Sequence, residues 1–129
     1  GVFETTIGGR RFAVATRPDG SFIGPDNPAA RGETIRFFAT GLGQTTPATA
    51  TNRTGVPGQA VLAPLVAGLN DAGVPIVSAE YLQGAIGIYV IAIEVPMTTA
   101  AGPAQSLGFG VQGADGNMVF ANGTQIPIR

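Results

Sequence analysis

Turn-forming residues punctuate this chain at short intervals, and no stretch between them carries a helical period. Its 20 glycines and 10 prolines fall between short β-prone runs. Even the stretch from Ala60 to Leu69 contains Pro64 and Gly68. Proline inside a helix removes a donor and clashes with the preceding turn. Strand after strand with turns between is the pattern of an antiparallel β-sandwich. The reading is therefore all-β, with about seven to nine strands. A length of 129 residues suits a single domain over 1–129, and 44% apolar residues suffice for a buried core.

Two segments alternate most clearly. In Glu33 to Thr40, the residues Ile35, Phe37 and Ala39 share one face, while Thr34, Arg36 and Thr40 share the other. That is the period of a half-buried strand. Phe38 interrupts the polar face. It reads either as a partly exposed ring against the stem of Arg36 or as a contact residue, and scattered exposed apolar residues are common enough to favour the first. In Gly87 to Val95, Tyr89, Ile91, Ile93 and Val95 share one face; Ile88, Val90, Ala92 and Glu94 share the other. Both faces are apolar apart from Glu94, so the second is either covered by a loop or met by a neighbour. A covering loop is the simpler expectation.

The remaining segments follow from turn chemistry. Val2 to Ile7 ends at Gly8-Gly9, and Arg11 to Thr16 follows. Pro18-Asp19-Gly20 makes a tight turn with a return through Ser21 to Ile23, and Gly24 to Pro28 is a loop. Gln44 to Gln59 has no periodicity and reads as a strand-poor crossover at the sandwich edge, with an interaction loop as the alternative. Val61 to Ala67 reads as a strand that Pro64 places at an edge or bulge. Asn70 to Gly73 is a turn, and Val74 to Leu82 is one returning strand. Ala100 to Pro103 turns the chain, and Ser106 to Gln112 is a strand with Leu107, Phe109 and Val111 inward. Ala114 to Asn117 is a hairpin turn; Met118 to Ala121 and Thr124 to Arg129 complete the set. Pro64 and Pro127 are expected to protect sheet edges.

Composition excludes more chemistry than it suggests. Cys, His, Trp and Lys are absent. That removes a thiol nucleophile, an imidazole base, a Cys/His zinc site and a lysine Schiff base. Ser21, Ser78 and Ser106 lie in no G-x-S-x-G and have no His to take a proton. Among the 8 carboxylates, Asp19, Asp26, Asp71 and Asp115 sit in turns, where Asp bonds nearby backbone. Glu80 and Glu94 lie on expected strands and would matter only if they met across a pair. Calcium needs only oxygen ligands, yet Asp26-Asn27 and Asp115-Gly116-Asn117 lack the ligand series of a strong site. No catalytic, cofactor-binding or metal residue is therefore nominated, and no cofactor is expected. A net charge of -1 with scattered arginines offers no footprint for nucleic acid. No apolar run of ~18 residues is present to span a membrane as a helix. The rings of Tyr81, Tyr89 and 7 phenylalanines, most of these expected in the core, give little for an aromatic sugar platform.

The segment Asn27-Pro-Ala-Ala-Arg-Gly-Glu-Thr-Ile-Arg-Phe-Phe-Ala-Thr-Gly-Leu-Gly43 is distinctive. It resembles the signature of a family of uncharacterised C-terminal domains known from Solibacter-type acidobacteria, found in many secreted proteins. Asp19-Gly-Ser upstream continues the resemblance, as does Gly84 to Pro96 downstream, so it spans nearly the whole chain. Val90 and Ala92 depart from the polar residues usual in that second motif. The resemblance implies an immunoglobulin-like sandwich and no enzyme activity, and it transfers no functional residue. It also implies an extracellular or cell-surface module at the end of a larger exported bacterial protein. There the domain would act as a spacer, adhesion or docking unit, with neighbouring domains, extracellular proteins or glycans as partners. A carbohydrate-binding module is the alternative.

Overall fold

The computed structural model describes residues 2–40, 45–46, 60–61, 65–70, 72–82, 88–112, 117–120 and 123–129. Its described residues are all-β, in thirteen segments. The first five are β1 (Glu4–Ile7), β2 (Arg10–Ala13), β3 (Ala15–Thr16), β4 (Thr34–Ala39) and β5 (Thr45–Thr46). Next come β6 (Ala60–Val61), β7 (Leu65–Leu69), β8 (Ala72–Val74) and β9 (Ile76–Tyr81). The last are β10 (Tyr89–Glu94), β11 (Gly102–Gln112), β12 (Met118–Phe120) and β13 (Thr124–Ile128). One sheet has the order β3-β4-β10-β9-β6-β5, and a second has β12-β11-β7-β8 with β13 also on β11. Every pairing between named strands is antiparallel.

The inner faces are those that the alternation requires. Ile35, Phe37 and Ala39 of β4 meet Ile91, Ile93 and Val95 in and after β10, and all six are fully buried. From the second sheet Ala67, Leu69, Leu107, Phe109 and Ile126 join the same cluster. Phe37 and Phe109 touch across the two sheets, with ring centroids 6.0 Å apart at 43°. Burying such side chains is the main favourable term in folding.

A hairpin, β1-β2, stands apart from both sheets. Its Ile7↔Arg10 register leaves a two-residue loop, Gly8-Gly9, with φ of 58° and 82°. Two successive positive φ values make a tight hairpin whose twist suits the strands, and glycine adopts them without strain. The hairpin is anchored at both ends: Phe3 N–H donates to the Phe38 carbonyl and Val14 N–H to the Phe3 carbonyl. Its far strand lies against β13, and Thr124 Oγ1 donates to Glu4 Oε2 at 2.8 Å.

The segments exceed the expected seven to nine because single strands divide between partners. The expected strand 11–16 breaks at Val14, where the chain leaves β1 and joins β4. The expected strand 74–82 divides at Pro75: β8 pairs with β7 in one sheet and β9 with β10 in the other. Proline has no N–H to give a ladder, so it suits the point where the chain changes sheets. The expected strand 61–67 likewise ends up as β6 and β7 in different sheets, with 62–64 outside the described residues. Within 44–59, Thr45 and Thr46 are strand, and the antiparallel β5-β6 pair puts both ends of this segment at one edge of one sheet. The remainder, 47–59, lies outside the described residues, as do the hairpin tip 113–116 and the signature glycines in 41–44. The expected turn at 100–103 is replaced by one at 96–99, closed by Thr99 N–H to the Pro96 carbonyl, and Gly102 already belongs to β11. Pro127 lies inside β13 and its carbonyl takes Ala29 N–H, so an N-terminal segment covers that edge.

Candidate functional site

The groups with chemical potential are dispersed. Asp19 accepts the Ser21 N–H at 2.9 Å and the Ser21 hydroxyl at 2.7 Å, a turn-closing use of a carboxylate. Those two bonds, the backbone one first, hold its carboxyl below the usual aspartate range, and the Arg17 charge adds to them. Asp26 is exposed in its loop; Asp71 and Asp115 lie outside the described residues. Glu80 and Glu94 are not brought together. Glu80 stands opposite Val90 and Glu94 opposite Thr34, which separates them by about 13 Å of strand rise. Among the described residues no three Asp or Glu side chains cluster to hold a metal.

The signature segment works as a clasp. Glu33 accepts Ala30 N–H at 2.6 Å through Oε2 and pairs through Oε1 with Arg17, both side chains mostly buried. Arg17 Nη2 also donates to the Pro28 carbonyl at 2.8 Å, and Asn27 Nδ2 donates to the Phe22 carbonyl at 2.9 Å. Ala29 bridges to Ile128. Gly32 has φ 83°, donates to the Val95 carbonyl at 2.6 Å, and leaves only 2.8 Å between any added Cβ and Met97 Sδ. Gly32 and Ala29 thus hold the loop against the end of β10 and against β13, while Asn27 and the Glu33 side chain tie it to the Phe22 segment, to Ala30 and to Arg17. The positions follow from fold geometry, and none of these contacts presents a reacting group.

The phenylalanines are placed differently from the sequence expectation. Phe12, Phe37 and Phe109 are buried, but Phe3, Phe22 and Phe120 are exposed and Phe38 is half-buried. Phe38 is partly exposed, as expected, on the same face as Arg36. It lines an apolar groove of about 340 Å³ with Phe3, Phe22, Val14, Thr16, Leu82 and Ile88. This groove lies on the outer face of the six-stranded sheet, since Phe38 pairs with Val90 on the side away from the core. The second face of β10 is accordingly half covered. Ala92, between Arg36 and Ser78 in register, is buried; Ile88 and Val90 are half-buried; Glu94 is exposed. On the other sheet, Phe120 borders an apolar depression with Val66, Gly68, Gly73, Ser106 and Gly108. Phe22 reaches the groove on the expected return segment through its bridge to Thr16, whereas Phe3 arrives only through its backbone bonds to Phe38 and Val14, a meeting that the sequence does not show.

No family model matches this chain, and no curated protein or solved structure matches it. The site therefore rests on its own geometry. Among the described residues that geometry offers exposed rings and grooves and no convergent catalytic groups.

Proposed function

We propose that this chain is a non-catalytic, immunoglobulin-like sandwich module of the Solibacter-type C-terminal family. In this reading it serves as an extracellular spacer, adhesion or docking domain of a larger exported protein. One observation carries the reading, and it is the strand order. Labelling β3, β4, β7, β9, β10, β11 and β13 as A to G gives one sheet containing A-B-E-D and another containing C-F-G. Constant-type immunoglobulin sheets share that order, which supports the reading; β5, β6, β8 and β12 are additions to it. The contacts of Asn27, Ala29, Gly32 and Glu33 support the family assignment, because they give the signature residues structural rather than chemical tasks.

The exposed rings of Phe22 and Phe120, each 69% accessible, favour carbohydrate binding as the second reading. Two experiments separate the possibilities. In the first, an antibody to this domain is applied to intact cells making the parent protein. Labelling without permeabilisation supports the surface module, and labelling only after lysis overturns it. The second is a glycan array: saturable binding lost in Phe22→Ala or Phe120→Ala would replace the spacer reading with the carbohydrate module.

A further inference from the structure

Beneath the groove on the six-stranded sheet, Thr16 and its strand neighbour Arg36 each carry a buried polar atom that has no partner. Thr16 lines the groove yet is only 7% exposed, and its Oγ1 is buried without a hydrogen bond. Its cross-strand partner is Arg36, whose Nε is also buried and unbonded. Arg36 Nη2 donates to the carbonyls of Arg17 at 3.4 Å and Pro18 at 3.2 Å, which are neutral acceptors. The nearby acids are engaged elsewhere: Glu33 with Arg17, and Asp19 with Ser21. No carboxylate pairs with Arg36 among the described residues.

Buried polar atoms in native proteins are almost always bonded, and an unmet hydrogen bond on a charged group is the more unfavourable kind. Here two of them occupy adjacent register positions, and one of the two residues, Thr16, lines an apolar trough. The two halves ask for complementary parts of one ligand. A carboxylate accepts from both a guanidinium N–H and a hydroxyl, and it neutralises the unpaired cation. A hydrocarbon body suits a trough walled by Phe3, Phe38, Leu82 and Ile88. We propose that Thr16, Arg36 and this groove form a binding site for a small amphipathic carboxylate of the fatty-acid type. Phe22 is the movable wall: its ring is largely exposed, and its backbone is joined to Thr16 by an isolated bridge. The site requires that ring to turn aside, because Thr16 Oγ1 and Arg36 Nε are both buried in this structure. The proposal concerns a ligand and is independent of the module reading above.

The test is an amide NMR titration of the whole chain with decanoate below its micellar concentration, with decanol and decyltrimethylammonium as controls. Decanoate should shift Thr16, Phe38 and Ile88 saturably. Decanol should bind about tenfold more weakly, reflecting the loss of one charge-assisted contact, and the ammonium should not bind. Arg36→Met should lower decanoate affinity to the decanol level while leaving decanol unchanged. Thr16→Val should weaken decanoate binding and keep the fold, since it removes a hydroxyl that has no partner. If Arg36→Met fails to fold, the native comparison and Thr16→Val decide. Equal binding of decanoate and decanol, unmoved groove amides, or a Thr16→Val variant with native decanoate affinity would overturn the site.

Discussion

The outer face of the six-stranded sheet carries side chains across its middle where that of the five-stranded sheet carries a row of glycines. Across the first, Arg36 stands between Thr16 and Ala92 in register, and Phe38 beside Val90. Across the second, Gly108, Gly68 and Gly73 form one row over β11, β7 and β8, and Gly110 lies under the Phe120 ring. The inner faces show no such contrast: both sheets deliver aliphatic and aromatic side chains to one cluster. A close-packed interior imposes the same demand on every strand that borders it. Solvent imposes almost none, so the outer faces are where two sheets of one molecule diverge. Both candidate ligand-facing depressions lie there.

The shared interior gives the largest expected effect. Phe37→Ala should destabilise the fold by about 3–5 kcal/mol in a urea titration. Phe109→Ala alone and in combination should reveal a coupling of about 0.5–1.5 kcal/mol, because the two rings touch across the sheets. Independent unfolding of the two sheets in these variants would break the claim of a common core.

The clasp beside the decorated sheet comes next. Glu33→Gln leaves shape nearly unchanged but removes the charge from its bonds to Ala30 N–H and Arg17. A loss of about 1–3 kcal/mol is expected by thermal or urea denaturation. A stability equal to that of the native chain would show that the ion pair does not hold the loop.

The bare sheet offers a gain. Gly108 has no positive φ, and an added Cβ would meet nothing within 4 Å. Gly108→Ala should therefore raise stability by about 0.5–1 kcal/mol, the usual penalty of glycine inside a strand. Gly110→Ala provides the contrast, since its Cβ would approach the Phe120 ring to 2.8 Å. That exposed ring should swing aside, so the Phe120 ring resonances move and the stability gain is lost. Equal gains at the two positions would contradict the placement of Phe120 over Gly110.

The smallest effect belongs to Asp19. Its folded carboxyl titrates below the ordinary aspartate range because the Ser21 N–H and hydroxyl bond the charged form. A depressed folded value makes its contribution present above the unfolded value and lost as pH falls through the folded one. Carboxyl-carbon NMR should place the Asp19 midpoint below that of the same group in unfolded chain. Ser21→Ala should bring it part of the way back.

Strand faces were legible because they are local. Period 2 in β4 and β10 assigns Ile35, Phe37, Ile91 and Ile93 to one side whatever the partner strand is. Gly8-Gly9 and Pro18-Asp19-Gly20 were legible for the same reason: a turn is decided by the residues within it. The signature segment was visible as a motif, but its clasp was not, since Glu33 meets Arg17 only after the Asp19 hairpin has folded back.

Sheet membership was decided by tertiary structure. Nothing between Ala72 and Tyr81 tells that β8 and β9 belong to different sheets; Pro75 marks a break, and only β7 and β10 supply the partners. The Thr16–Arg36 site has the same origin. Its residues are twenty apart in sequence and become neighbours through one antiparallel register, with Phe3, Leu82 and Ile88 brought in from three other segments. Alternation determines which way a side chain points, because that depends on backbone geometry alone. Which side chains it meets depends on non-local pairing, where one residue of register reverses every contact.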